Sequence, residues 1–218
     1  MPWEDTYLEC AARGLVKVSA SLMDAATRVV AEMFIIILDH SGSMGIACGR
    51  VDRLTAAQDA TIALLDARQR LGADDMVAVI AFDEEAQLVL PFTRCQDQRR
   101  QIDHAVRSIT IAGGTKLRAP LVLANEILPP EGRRHIVLLS DGHGGNPARV
   151  ARKLRGRGAI IETIGVGNDP TEVDEAVMKD IASILDGKVL YRFIRDADEL
   201  TCYFRNEIAN RLVKRSDP

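Results

Sequence analysis

Short apolar runs separated by longer amphipathic segments constrain the fold of this chain more than any other feature. Residues 34–38, 76–82 and 136–139 contain only apolar side chains, most of them Ile, Val and Leu. Such continuous runs are typical of parallel strands that are buried on both faces. The stretch 52–70, between two of these runs, carries apolar residues at helical spacing. Strands that alternate with helices predict an α/β fold, a doubly wound and mostly parallel sheet with helices on both faces.

The same periodicities predict the remaining elements. A turn at 83–85 should lead into a short antiparallel edge strand at 87–91, and residues 15–20 indicate another strand at a sheet edge. Further strands are expected at 160–166 and 189–193, and further helices at 98–109, 117–128, 147–155, 172–185 and 198–213. We therefore expect one domain over residues 32–218, preceded by an N-terminal extension at 1–31.

Composition indicates a globular protein without a basic surface for nucleic acid. The 218 residues are 47% hydrophobic and 27% charged, with a formal net charge of −3. The N-terminus carries acids and lacks an apolar signal core, and no apolar stretch is long enough to cross a membrane. Free thiols in a reducing compartment are expected, because the four cysteines form no Cys-x-x-Cys pair: Cys10, Cys48, Cys95 and Cys202. We expect a cytoplasmic protein with no nucleic-acid or membrane partner.

One segment is locally basic. Five cations lie within nine residues of the helix expected at 147–155 and the loop after it: Arg149, Arg152, Lys153, Arg155 and Arg157. They are interpreted either as a solvated helix face or as a docking surface for an acidic partner. The sequence leaves both interpretations open.

Oxygen-bearing side chains follow two of the apolar runs. The segment 39–44, Asp-His-Ser-Gly-Ser-Met, comes directly after the run 34–38, and 140–142, Ser-Asp-Gly, closes the run 136–139. A third segment, 113–115, Gly-Gly-Thr, precedes an amphipathic stretch. Ligands of open α/β sheets bind outside the carboxyl ends of the strands, so these segments are expected to meet there if the two strands are neighbours in the sheet. A few oxygen ligands suit Mg²⁺ or Mn²⁺ better than zinc, which prefers nitrogen and sulfur.

In this order the three segments resemble the metal-ion-dependent adhesion site of von Willebrand factor A domains, whose pattern is Asp-x-Ser-x-Ser, a distant Thr and a distant Asp. The resemblance implies that Ser41 and Ser43 bind the metal directly. Thr115 would bind directly or through water, and Asp39 and Asp141 would lie close, partly to orient hydroxyls and bound water.

Two histidines lie beside these segments. His40 occupies a variable position of the motif and is interpreted as a spacer. His143 follows Asp141 and is a candidate for the rim of the site, where it would make partner binding pH-sensitive. Asp83 and Glu84 are expected in a solvated turn.

The resemblance implies a non-enzymatic, metal-dependent interaction module. An open coordination position on the metal would attract an Asp or Glu carboxylate of a protein partner. Intracellular bacterial members of the family often work beside ATPase, kinase or phosphatase systems, so a partner of that kind is expected.

The alternative is a metal-assisted phosphohydrolase that uses Asp39 and Asp141. Against it, the haloacid-dehalogenase pattern needs a second acid two positions after the nucleophile, where this chain has Ser41. The chain also has no Gly-x-x-x-x-Gly-Lys-Ser/Thr phosphate loop.

Overall fold

A mixed six-stranded sheet forms the centre of the protein. The structure, a computed structural model, describes residues 31–71 and 74–211. The order of the main-sheet strands is β10-β7-β6-β1-β4-β5, and only β5 runs antiparallel to its neighbour. These strands are β1 (Glu32–Asp39), β4 (Met76–Phe82), β5 (Ala86–Arg94), β6 (Arg133–Ser140), β7 (Ala159–Val166) and β10 (Tyr191–Ile194). Two small hairpins pair β2 (Ala47–Cys48) with β3 (Val51–Asp52), and β8 (Ile184–Leu185) with β9 (Lys188–Val189).

Helices cover both faces of this sheet. They are α1 (Arg53–Arg70), α2 (Arg99–Arg107), α3 (Arg118–Ile127), α4 (Ala148–Gly156), α5 (Glu175–Ile181) and α6 (Ala197–Tyr203). Alternate residues of β1 face opposite layers, because successive side chains of a strand point to opposite sides. Phe34 and Ile36 pack in the layer that includes α1, α2 and α6, whereas Ile35 and Ile37 pack against α3, α4 and α5. All four side chains are fully buried, which explains the uninterrupted apolar run.

The predicted fold class is confirmed, including the antiparallel edge strand, which extends to Ala86–Arg94. The single helix predicted at 172–185 is wrong. A 3₁₀ turn (Pro170–Glu172) precedes α5, and the chain after α5 forms the β8–β9 hairpin. The hairpin turn has Asp186 and Gly187 at φ of 51° and 75°, a left-handed conformation that is incompatible with a continued helix. For the same reason the next strand begins at Tyr191, two residues after the predicted start at 189.

The closing helix is less regular than predicted. Helix α6 passes into a π-helical turn, Phe204–Ile208, and then into a last helical turn, Ala209–Arg211. The rest of the helix predicted at 198–213 lies outside the described residues, as do the strand predicted at 15–20 and nearly all of the extension at 1–31.

Two of the five clustered basic residues have structural roles. Arg155 donates to the carbonyls of Asp180 and Ala182 at 3.0 and 3.1 Å, at the end of α5. Arg157 donates to the Leu128 carbonyl at 2.9 Å, just beyond α3. Cations suit the carbonyl-rich ends of helices. The exposed basic face is therefore reduced to three residues: Arg149, Arg152 and Lys153.

A buried polar group connects α6 to the sheet. The Tyr203 hydroxyl donates to Glu162 Oε1 at 2.6 Å, and His135 Nε2 lies 3.3 Å from Glu162 Oε2. His135 and Glu162 are both fully buried, and Phe34 stacks on the imidazole with ring centroids 5.6 Å apart. A buried carboxylate is expensive unless it is hydrogen-bonded, so the Tyr203 hydroxyl stabilises both the sheet interior and the position of α6.

We expect Tyr203→Phe to lower the free energy of unfolding by about 1–3 kcal/mol, because the substitution removes one donor from a buried carboxylate. The control is Tyr191→Phe, since Tyr191 donates at 3.1 Å to Glu175, which is only partly buried. That loss should stay below about 1 kcal/mol. Urea unfolding of the three proteins measures both values, and equal losses would contradict a special role for the buried pair.

Candidate metal centre

The strand register brings the first two oxygen-bearing segments together. Strand β1 lies between β4 and β6, and Leu38 pairs with Leu139. Asp39 and Ser140 therefore leave the sheet side by side at its carboxyl edge. This placement agrees with the position expected for a ligand site in an open α/β sheet.

The loop that contains Thr115 is held beside the ends of β1 and β4 by backbone hydrogen bonds. Gly42 N donates to the Gly113 carbonyl at 3.1 Å, and Ala112 N donates to the His40 carbonyl at 2.8 Å. On the other side, Lys116 N donates to the Asp83 carbonyl at 2.7 Å, just after β4. The three segments predicted from the sequence therefore meet over one edge of the sheet.

A continuous chain of hydrogen bonds links four of the five predicted site residues. Ser41 N donates to Asp39 Oδ1 at 2.9 Å, and the Ser41 and Ser43 hydroxyls are 3.2 Å apart. Ser43 Oγ then donates to Asp141 Oδ2 at 2.5 Å. Ser140 closes the group from the second strand, since its hydroxyl donates to Asp39 Oδ2 at 2.6 Å.

Thr115 joins this group through its backbone only. Gly144 has φ of 107°, and a Cβ atom at this position would overlap the Thr115 carbonyl. The glycine therefore permits the close approach of two loops. The Thr115 hydroxyl takes part in none of the hydrogen bonds found among residues 31–71 and 74–211.

Sequence reasoning missed the contribution of Ser140. The residue was part of the motif at 140–142, but no role was predicted for it. Its hydroxyl donates to Asp39 and accepts from Gly142 N at 3.0 Å, so it fixes both the carboxylate and the turn that carries Asp141. Its place directly after the apolar run 136–139 was visible in the sequence, but the contact with Asp39 depends on the strand register.

Burial sets the electrostatics of the site. Asp39 is 0% exposed and Asp141 is 2% exposed. Burial raises the pKa of Asp39, and the nearby charge of Asp141 raises it further, whereas hydrogen bonds from Ser140 and Ser41 oppose the rise. Two buried carboxylates close to each other disfavour the fully charged state, and a bound cation would relieve this repulsion.

The oxygen atoms fit a small, hard cation. Octahedral Mg²⁺ with bonds of 2.0–2.1 Å places neighbouring ligand oxygens about 2.9 Å apart. The two serine hydroxyls are 3.2 Å apart, which is close to that spacing. Within the described part of the chain, no group of three or more His, Cys, Asp or Glu side chains could hold a metal ion. The donors here are two carboxylates and neutral hydroxyls, and the ligand role of all five residues stays a prediction.

The two histidines bind neighbouring loops. His40 Nδ1 lies 2.8 Å from the Thr110 carbonyl, and exposed His143 Nε2 lies 3.0 Å from the Glu172 carbonyl.

Glu84 is exposed and forms an ion pair with Lys116 at 3.4 Å, while Asp83 accepts from Glu85 N at 2.9 Å. Asp83 and Glu84 therefore lie in a surface turn, as predicted.

Comparison with known proteins decides the family. Residues 34–143 match the model of the von Willebrand factor type A domain. The chain belongs to this family. The matched region includes all five predicted site residues, and domains of this family are generally interaction modules rather than enzymes.

Three relatives illustrate the range of the match. The uncharacterized protein sll0103 of Synechocystis sp. is 29% identical over 164 residues, which cover 72% of this chain and 36% of that protein. The chain thus spans about a third of this curated relative. A von Willebrand factor type A structure from Catenulispora acidiphila has 26% identity and a TM-score of 0.65, covering 84% of this chain and 42% of its own. Proximal thread matrix protein 1 of the mussel byssus, solved with a zinc-occupied adhesion motif, has 19% identity and a TM-score of 0.64, covering 86% and 46%.

These findings confirm the predicted family and fold, and leave the choice of metal and the cytoplasmic location as predictions. In the described part of the chain, no helix has both the length and the apolar character needed to cross a membrane. Cys48 and Cys95 are buried free thiols, as expected, whereas Cys202 is exposed.

We expect Asp39→Asn to stabilise the metal-free protein at pH 7. Because burial raises the folded pKa of Asp39 above its ordinary value of 3.8, the folded state holds a proton there more tightly than the unfolded state does. The resulting stabilisation is complete below about pH 3.8 and is lost as the pH rises through the folded pKa. The advantage of the uncharged amide should therefore be largest at pH 7 and shrink towards pH 4.

Urea unfolding in EDTA across this pH range measures the difference. Asp97→Asn is the control, because that side chain is 69% exposed and should show little change. An Asp39→Asn protein that is less stable by the same amount at every pH would show that the carboxylate contributes hydrogen bonds and no charge penalty.

Proposed function

We propose that this domain is a non-enzymatic interaction module that binds Mg²⁺, or Mn²⁺, and through it an Asp or Glu carboxylate of a protein partner. The proposed metal ligands, direct or through water, are Asp39, Ser41, Ser43, Thr115 and Asp141. The supporting observation is the hydrogen-bonded chain from Asp39 through two hydroxyls to Asp141, at the carboxyl edge of the sheet. The zinc-occupied adhesion motif of the mussel protein supports a divalent cation in this fold.

The hydrogen bonds prepare the side chains for this role. Ser43 donates its only hydroxyl proton to Asp141 and can accept from the Ser41 hydroxyl with one lone pair, which leaves the other lone pair available to a cation. Ser140 and Ser41 N hold the two oxygens of Asp39 in place, so this carboxylate would orient water or hydroxyls around the ion. When bound, the metal would supply an electrophilic position for an external carboxylate, because its protein ligands include neutral hydroxyls.

The incompletely neutralised charge of the bound metal determines which partner group it would bind. A carboxylate binds a partly neutralised Mg²⁺ more strongly than a neutral amide does, since it carries a full negative charge. The wider system of the partner, an ATPase, kinase or phosphatase assembly in the bacterial cytoplasm, rests on the family resemblance alone.

We expect millimolar Mg²⁺ to raise the unfolding temperature of the wild-type protein. At ten times the dissociation constant, the stabilisation is about 1.4 kcal/mol. Ca²⁺ should stabilise less, because it prefers more ligands and longer bonds. Ser43→Ala should abolish the Mg²⁺ shift, Ser140→Ala should reduce it, and Ser140→Thr should restore it by returning a hydroxyl.

Thermal unfolding and titration calorimetry in Mg²⁺ and in EDTA measure these effects. Ser108→Ala is a matched control, because the Ser108 hydroxyl donates to the Ala105 carbonyl at the end of α2 and, among the described residues, forms no hydrogen bond with the site. Identical unfolding temperatures of the wild type in EDTA and in millimolar Mg²⁺ would contradict the proposal.

The competing phosphohydrolase predicts turnover, whereas we expect none. Asp39 is fully buried, and both of its oxygens already accept hydrogen bonds, so it is poorly placed to attack a phosphate. An assay with p-nitrophenyl phosphate in Mg²⁺ and in Mn²⁺ tests this expectation. Hydrolysis by the wild type that disappears in both Asp39→Asn and Asp141→Asn would establish the enzyme instead.

A further inference from the structure

A groove of about 760 Å³ opens beside the candidate metal centre. One wall is helix α3, and the other is the turn at 84–86 that begins the edge strand β5. The near end is formed by Lys116, which follows Thr115, and by Gly144 and Gly145 from the loop that carries Asp141. The groove is therefore continuous with the loops that would hold the metal.

Helix α3 presents one face to this groove. The residues that line it are Ala119, Val122, Leu123 and Glu126. Their spacing of i, i+3, i+4 and i+7 is that of a single helical stripe. Val122 and Leu123 are half-buried, and Ala86 lines the opposite wall, so the middle of the groove is apolar.

The end of the groove nearest the metal centre carries charges of both signs, because Glu84 and Glu85 face Lys116 and Arg118 there, whereas Glu126 lies at the far end. Lys116 and Arg118 lie at the end nearest the metal centre, where Lys116 is paired with Glu84 at 3.4 Å. Glu126 is exposed and lies eight residues after Arg118, about 12 Å further along the helix. Among the described residues, neither Arg118 nor Glu126 takes part in an ion pair.

We propose that this groove binds the segment of the protein partner that flanks its metal-binding carboxylate. This segment would place an apolar side chain between α3 and the turn at 84–86, and a Lys or Arg beside Glu126. An extended chain advances about 3.3 Å per residue, and alternate residues share a face. Val122 and Glu126 are about 6 Å apart along α3, so the basic residue is expected about two positions beyond the apolar one, on the side away from the acid.

The inference rests on the proposed function, since the acid at the metal sets the register of the segment in the groove. The acid at the metal and the exposed Glu126 at the far end together support a single orientation. The acid of the segment would bind the metal, while its basic residue would meet Glu126. The reverse order would place the basic residue beside the metal cation and the acid beside Glu126.

A displayed peptide library tests the proposal. Each peptide has one fixed Asp between randomised flanks, and binding to the 218-residue chain is selected in millimolar Mg²⁺ with elution by EDTA. We expect enrichment of an apolar residue on one side of the Asp, and of Lys or Arg about two positions beyond that apolar residue. Val122→Gln should remove the apolar preference while elution by EDTA persists.

Charge reversal gives the decisive variant. In Glu126→Lys the preference at the basic position should change to Asp or Glu. A resynthesised wild-type-selected peptide should bind this variant roughly three- to tenfold more weakly, because an exposed attraction becomes a repulsion. Replacing the basic residue of the peptide by Glu should restore binding. Arg152→Glu, on the exposed face of α4, is the control and should leave every preference unchanged.

The outcomes separate the two proposals. Peptides that need Asp and Mg²⁺ but show no flanking preference, or a preference that Glu126→Lys leaves unchanged, would overturn the groove while the metal-dependent module stands. Peptides that keep the apolar and basic preference but resist EDTA would overturn the metal-dependent function and leave the groove as a binding surface. A library without any enrichment in Mg²⁺ would overturn both.

Discussion

The parallel pairing of β1 with β6 is the interaction on which the site depends. Both strands are buried on both faces, so a shift of register would still leave apolar side chains buried. Hydrophobic burial alone therefore does not fix the pairing. Polar and aromatic contacts along the two strands fix their register. Glu32 pairs with Arg133 at one end, the His135 ring stacks on Phe34 within the pair, and Ser140 donates to Asp39 at the other end. A slip by one residue would separate all three contacts, and the buried polar groups would lose their partners.

The strands were predictable because continuous apolar runs in the sequence indicate strands buried on both faces. Their exact ends were not, since Glu32 and Asp39 belong to β1 through ladder hydrogen bonds and neither is apolar. The failed helix at 172–185 has a different cause. The Asp186–Gly187 pair is a turn signal for a hairpin, and the chain forms that hairpin in place of the last turns of the predicted helix. That signal was available in the sequence.

The candidate site also has a part that was predictable from the sequence and a part that was not. The order of Asp39, Ser41, Ser43 and Asp141 behind two apolar runs predicts that they meet if the two strands are neighbours, and the pairing of β1 with β6 meets this condition. The relation of Thr115 to them was not predictable from its side chain. It depends on backbone contacts, the Gly42–Gly113 hydrogen bond and the close approach of Gly144 to the Thr115 carbonyl. Ser140 was missed because its importance lies in the cross-strand contact with Asp39, which only the register reveals.

The same network explains how one site can be both stable without a metal and ready for one. Burying two neighbouring carboxylates is unfavourable, and the raised pKa of Asp39 shows the direction of this cost. The fold offsets part of it with donors from Ser140, Ser41 N and Ser43. None of these hydrogen bonds has to break when a cation binds, because a hydroxyl can donate its proton to a carboxylate and offer a lone pair to the ion. A divalent cation would remove the remaining repulsion between the two carboxylates. Relief of this repulsion would therefore contribute to the free energy of metal binding.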